Sequence, residues 1–156
     1  MQTSQTSQNG IFFCRHAESI ENTGKLQIDS PLSEKGILQA TELSGTYECV
    51  IVSSLRRSKE TLHYSQIKYN HLHVSPNFSE RIFNECNCEI LTGKQKPESD
   101  QEFFSRVLDF QNEFSILQKT YSSILLIGHS YFFNSWYRKG CYPSIEHAKI
   151  FSITFT

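Results

Sequence analysis

Ile11 to Asn22 reads IFFCRHAESIEN, four mostly apolar residues followed by arginine and histidine side by side. Ile11, Phe12, Phe13 and Cys14 have the character of a short strand buried on both faces, as in parallel sheets covered by helices. In open α/β sheets the loops at the carboxyl ends of the strands line the ligand crevice, so Arg15 and His16 stand where chemistry is usually placed. A lone Arg-His pair is more often a solvated loop edge, and the rest of the chain has to decide.

Downstream, the pattern of strand, loop and helix repeats. DSPLSEKGILQATEL predicts a helix from about Ser33 to Ser44 with Ser33 as N-cap. Val50 to Val52 form a second short buried strand, and Ser53 or Ser54 is expected to cap the helix in LRRSKETLHYSQ. Between about Lys68 and Lys96 the pattern is less regular, with a possible strand at His71 to Val74. SDQE at Ser99 to Glu102 is a capping box. Phe103, Val107, Phe110, Phe114 and Leu117 then recur at helical spacing, which marks a long helix packed on the sheet. SSILLIG is the most apolar strand; it leads to His129, a helix in SYFFNSWYRKG and a last strand in KIFSITF. Alternation of this kind predicts a three-layer α/β/α sandwich with a mostly parallel central sheet.

Composition bounds the partners. A chain of 156 residues suits one domain with a core that buries roughly 70% of the unfolded surface. With 15 basic and 16 acidic residues and no long block of either sign, broad attraction to nucleic acid or to an anionic membrane is not expected, and no stretch reaches membrane-spanning length. Residues 1–9 lack a secretory pattern and read as a disordered polar tail before a single domain at 10–156. Five scattered cysteines fit a reducing, cytoplasmic setting.

If the strands are parallel neighbours, Arg15 and His16, then Arg56 and Arg57, then His129 converge on one crevice, where helix N-termini add N–H donors. That combination suits phosphate. The same segments carry a resemblance: RHAESIEN, DSPLSEKGILQA, SSLRRSKET, SERIFNE and LLIGHS resemble, in order, the motifs of the histidine phosphatase superfamily, also called the phosphoglycerate mutase-like family. The resemblance covers about Ile11 to Trp136.

By position, the resemblance implies that His16 is the nucleophile that becomes a phosphohistidine. Arg15, Arg57 and His129 would hold the phosphoryl oxygens, with Asn22 as a further contact and Glu80 as the acid. Arg57 aligns with the family arginine because it stands four residues after Ser53 and four before Thr61. Chemically, fixed cationic donors stabilise the charge that phosphoryl transfer spreads over equatorial oxygens, and neighbouring arginines keep a histidine nucleophile neutral. A departing alkoxide needs a proton from a carboxyl that stays protonated near neutral pH, for which Glu85 and Glu18 are substitutes for Glu80. No metal or cofactor is expected.

Ala17 stands where the family has glycine, Ser54 where it has proline and Ser130 where it has a second glycine. The Ser130 hydroxyl either contacts phosphate or, more simply, caps the following helix. Two other chemistries fit less well. GHSYF resembles a serine-hydrolase elbow with Ser130 attacking, but it lacks the last glycine, and only Glu146 and His147 follow closely enough to serve it. Cys86, Cys88, His71 and His73 lack the paired spacing of a zinc site; His63, His71 and His73 read as surface or strand residues. A phosphate- or phosphoprotein-binding pseudoenzyme would keep the same cations without turnover. Because 48 residues separate Glu80 from His129 and a strand closes the chain, little is left to build the lid of a mutase. Hydrolysis of a phosphorylated small molecule or phosphoprotein is therefore expected over transfer.

Overall fold

β1 (Gly10–Arg15) lies in the interior of a five-stranded sheet, between a parallel and an antiparallel neighbour. In the computed structural model, which describes residues 9–25, 27–82 and 96–155, the remaining strands are β2 (Ser44–Ser53), β3 (Gln66–Ser75), β4 (Ser123–Gly128) and β5 (Ile150–Ile153). Their order is β3-β2-β4-β1-β5, with β3, β2, β4 and β1 mutually parallel and β5 antiparallel to β1. The helices are α1 (Glu34–Thr41), α2 (Arg56–Tyr64), α3 (Asp100–Thr120) and α4 (Ser130–Phe133), and α4 runs on into a π-helical turn at Asn134–Arg138.

The central strands are apolar throughout because alternate residues enter different cores. On one face Phe13, Cys49, Ile51, Ile124 and Leu126 meet Phe103, Val107, Phe110 and Phe114 of α3 and Phe132, Phe133 and Trp136. On the other, Cys14, Val50, Val52, Leu125 and Ile127 meet Leu43, Leu62 and Ile67. This is the three-layer α/β/α sandwich expected, and the Phe103–Phe114 stripe is core.

Several local expectations change. Ser33 caps α1 by accepting from the Gly36 N–H, but the helix ends at Thr41, because β2 begins at Ser44 and runs well before Val50. Neither Ser53 nor Ser54 is the N-cap of α2. Leu55 holds that position and caps nothing with its side chain; instead the Asp29 carboxylate, from a residue at φ 44°, accepts the Arg56 N–H at 2.8 Å. A distant loop thus supplies what a local serine was expected to give. The possible strand at His71–Val74 is part of β3, where His71 packs on the Tyr121 ring and His73 hydrogen-bonds Glu113. The capping box at Ser99 and Glu102 is formed in both directions.

Two glycines set close approaches. A Cβ on Gly36 would lie 1.9 Å from the Glu18 carbonyl oxygen, so α1 rests directly on the loop after β1. A Cβ on Gly128, at the end of β4, would lie 2.3 Å from the Phe78 ring.

Candidate functional site

Parallel register brings the strand ends together. Arg15 pairs with Gly128 across β1 and β4, and the His16 N–H donates to the Gly128 carbonyl at 2.9 Å, so the residues that follow, His16 and His129, emerge side by side. Their ring centroids are 5.1 Å apart. Both are buried, His16 at 3% exposure and His129 at 0%.

The hydrogen bonds of His16 fix its tautomer. Its Nδ1 lies 2.7 Å from the Ala17 carbonyl oxygen, which only accepts, so Nδ1 carries the proton and Nε2 keeps a lone pair. Burial, then the Arg57 charge, and further Arg15 and His147, hold the ring well below the usual imidazole range. It is neutral at physiological pH. Ala17 itself is fully buried, its φ is not positive, and its N–H donates to Thr61 Oγ1 at 2.9 Å. The backbone there makes no demand for glycine.

Around this ring stand unspent donors. Arg15 donates from one Nη to the Ile145 carbonyl at 2.8 Å, while its buried Nε has no partner among the described residues. His129 Nε2 is 2.7 Å from Ser53 Oγ, and its buried Nδ1 likewise has no partner among them. With the Ser53 hydroxyl donating, His129 Nδ1 carries the proton and becomes a second donor, uncharged beside the Arg15 guanidinium. Burial and the Arg57 charge keep His129, too, well below the ordinary value. Arg57, 7% exposed, reaches the Glu21 carboxylate at 3.2 Å. Buried polar groups left without partners are unusual, and two on one cationic cluster mark a place for an anion with several acceptor oxygens.

Glu80 follows β3 and the 3-10 turn at Pro76–Phe78. Its Oε1 accepts from the Arg81 and Phe132 N–H groups at 3.1 and 2.9 Å, and Oε2 from the Tyr131 N–H at 3.1 Å. Desolvation raises its pKa, against the lowering effect of those three N–H groups and of Arg57. The net direction is up, toward a carboxyl that keeps its proton to higher pH.

Other predicted residues sit differently. Asn22 is exposed in a 3-10 turn, and its Oδ1 accepts from the N–H and Oγ of Ser19 at 3.0 and 2.8 Å. Ser130 does not cap α4; its Oγ accepts the Ile145 N–H at 2.9 Å, tying down the segment that receives Arg15. The same bond engages the hydroxyl that a serine nucleophile would need. Glu18 accepts from Ser33 Oγ at 2.8 Å and faces Lys35 at 3.9 Å, at the foot of α1. Glu85, Cys86 and Cys88 lie outside the described residues, as does most of the expected N-terminal tail. Among the described residues, no cluster of three or more metal-ligating side chains occurs, and no helix is long and apolar enough to cross a membrane.

Sequence reasoning gave Ser53, Thr61, Glu21 and His147 no part in a phosphate site. His147 donates from Nδ1 to the His16 carbonyl at 2.8 Å, with the two rings 5.4 Å apart. It arrives from the far end of the chain, and no local pattern announces it.

The architecture is that of the phosphoglycerate mutase-like phosphatases. Among solved structures, the α-ribazole phosphatase of Shigella flexneri superposes with a TM-score of 0.65 at 20% identity, covering 90% of this chain and 87% of that one. A phosphoglycerate mutase of Thermus thermophilus gives 0.65 at 20% identity and 90% coverage of each. A mycobacterial glucosyl-3-phosphoglycerate phosphatase gives 0.63 at 14% identity, covering 92% and 90%. The chain belongs to the histidine phosphatase superfamily, branch 1, whose family model matches residues 11–123. Comparison with curated protein sequences gives no match.

Proposed function

We propose that this member of the superfamily is a metal-independent phosphatase that hydrolyses phosphate monoesters through a phosphohistidine on His16. The observation that carries the reading is the pairing of one imidazole lone pair, His16 Nε2, with two buried nitrogens that have no partner among the described residues, the Arg15 Nε donor and His129 Nδ1, which donates when Ser53 donates to Nε2. In the first step Nε2 attacks phosphorus, the P–O bond to the leaving group breaks, and Glu80 gives its proton to the departing oxygen. In the second step the Glu80 carboxylate takes a proton from water, whose oxygen attacks the phosphohistidine and releases phosphate and neutral His16. Arg15, Arg57 and His129 hold the equatorial oxygens throughout.

Hydrolysis is favoured over a mutase-type transfer by how little chain separates acid from second histidine. Of the 48 residues between Glu80 and His129, α3 and β4 take more than half, and both are packed in the sandwich. Where so short a connection leaves little chain to enclose it, a phosphohistidine meets water. The substrate is a phosphorylated small molecule or a phosphoprotein.

The test is to mix the protein with radiolabelled aryl phosphate, quench in alkali and look for label that is stable to base and labile to acid. The wild-type protein should carry it and His16→Ala should neither carry it nor turn over. Labelling or full turnover in His16→Ala would overturn the mechanism, and tight phosphate binding without turnover in the wild type would favour the pseudoenzyme.

A further inference from the structure

Glu80 lies on a loop, not at a strand end, so something other than the sheet must fix it. The Arg106 guanidinium of α3 commits all five of its N–H groups beside that loop. Its Nε and one Nη2 N–H form a two-point contact with Glu98, at 2.9 and 2.6 Å. Nη1 donates to the carbonyls of Asn77, at 2.9 Å, and Ser79, and Nη2 also to that of Glu80 itself, at 3.3 Å. Glu98 extends the contact, since Oε1 accepts the Ile82 N–H at 3.3 Å and the Glu98 N–H donates to the Ile82 carbonyl at 3.0 Å. Both side chains are little exposed, at 14% and 10%, and the guanidinium lies 5.3 Å from the Phe103 ring centroid and 5.4 Å from that of Phe132.

The carbonyls of residues 77, 79 and 80 therefore converge on one planar cation, while the Glu80 carboxyl is met from the other side by the N–H groups of Tyr131 and Phe132. We propose that Arg106, held by Glu98, is the positioning residue for the proton donor: it fixes the backbone of the 77–82 loop so that the Glu80 carboxyl meets the leaving oxygen. This rests on Glu80 being the acid. Lysine cannot replace it, because an ammonium offers three donors from one point, not five in a planar fork. Displacement of an acid by a fraction of an ångström costs rate in proportion to how much the reaction needs its proton. Arg106 touches no reacting atom, so its signature is selective.

Arg106→Lys and the milder Glu98→Gln should each lower kcat/KM for an alkyl phosphate about 10- to 100-fold while changing that for 4-nitrophenyl phosphate less than about threefold, because kcat/KM reports the step that releases the leaving group, in which only the alkoxide needs the proton. On a Glu80→Gln background, neither substitution should slow the alkyl substrate further, because both act through the same carboxyl. Thermal melts establish that each variant is folded at the assay temperature; should Arg106→Lys not be, Glu98→Gln decides alone. Equal slowing of both substrates, or additive losses on the Glu80→Gln background, would overturn the proposal. If Glu80→Gln itself treats both substrates alike, Glu80 is not the acid and the positioning role falls with it. If Glu80→Gln discriminates and the Arg106 and Glu98 variants do not, the acid stands and only the positioning role is lost.

Discussion

The two histidines and Glu80, the proposed acid, reach the same site by different structural means. Arg15, His16 and His129 come directly off β1 and β4, and their positions follow from a parallel ladder in which Arg15 faces Gly128. Glu80 comes off a loop and is placed by side chains, with Arg106 and Glu98 behind its backbone and the first N–H groups of α4 before its carboxyl. A ladder places every residue along a strand through many shared bonds, whereas a side-chain contact fails with one substitution. The half proposed to hold the nucleophile should therefore be robust in geometry and sensitive only to chemistry, and the half proposed to hold the acid sensitive to both.

The sharpest probe of that contrast is Glu80→Gln, which has no proton to give and no base to offer, and whose single amide oxygen can keep the Arg81 and Phe132 N–H contacts but not that of Tyr131 as well. The kcat/KM for alkyl phosphates should fall about 10²- to 10⁴-fold and that for aryl phosphates much less, whereas kcat should fall for both because the phosphohistidine loses its base. In the wild type kcat/KM for the alkyl substrate should decline as pH rises through the elevated Glu80 pKa, because the protonated form is the one that serves the leaving group. A pH–rate profile of the glutamine variant should lack that limb.

On the histidine side, Ser53→Ala removes the group that sets the His129 tautomer, and kcat/KM should drop about tenfold for both substrate types alike, in line with other residues that orient a functional histidine. Unequal losses would mean that Ser53 also serves the leaving group. Smaller still, Glu21→Gln releases Arg57 from a partly buried ion pair, and vanadate or phosphate should inhibit about fivefold more tightly, the equivalent of about 1 kcal/mol. Competition assays at fixed pH would show it.

Stability should follow the histidines. His16, His129 and His147 all have lowered pKa values in the folded chain, chiefly through burial, whereas the unfolded chain protonates near 6.5. Between those values the unfolded state binds more protons, so stability is lost as pH falls below about 6.5. Glu80 acts in the opposite sense, favouring the fold as pH falls toward 4.5. Urea midpoints measured between pH 7.5 and 5.5 should decline with acid, and a flat profile would contradict the burial of the histidines.

The same contrast explains how much could be read from the sequence. Apolar runs that end in Arg15-His16 and in Gly128-His129 carry their own meaning, because strand, strand end and functional residue are contiguous. Glu80 could be found only through the family resemblance, since its 3-10 turn and loop have no periodicity. Asp29 at the start of α2, Thr61 under Ala17 and His147 behind His16 are separated from what they support by 27, 44 and 131 residues. Such contacts follow from the fold rather than from any local pattern. Nor does KIFSITF reveal that β5 runs against its neighbour.

One contact between the halves remains, the Phe78 ring lying against Gly128 two residues ahead of the acid and one ahead of His129. The gap between the proposed proton donor and the proposed phosphate clamp is in effect gauged by the thickness of a benzene ring resting on a bare α-carbon. A methyl group there would act as a shim, driving the loop and the strand end apart and lengthening the reach of the acid while leaving each half intact. Whatever bonds are cut or made at this site, the distance between its two halves is machined by a ring and a missing side chain, Phe78 and Gly128.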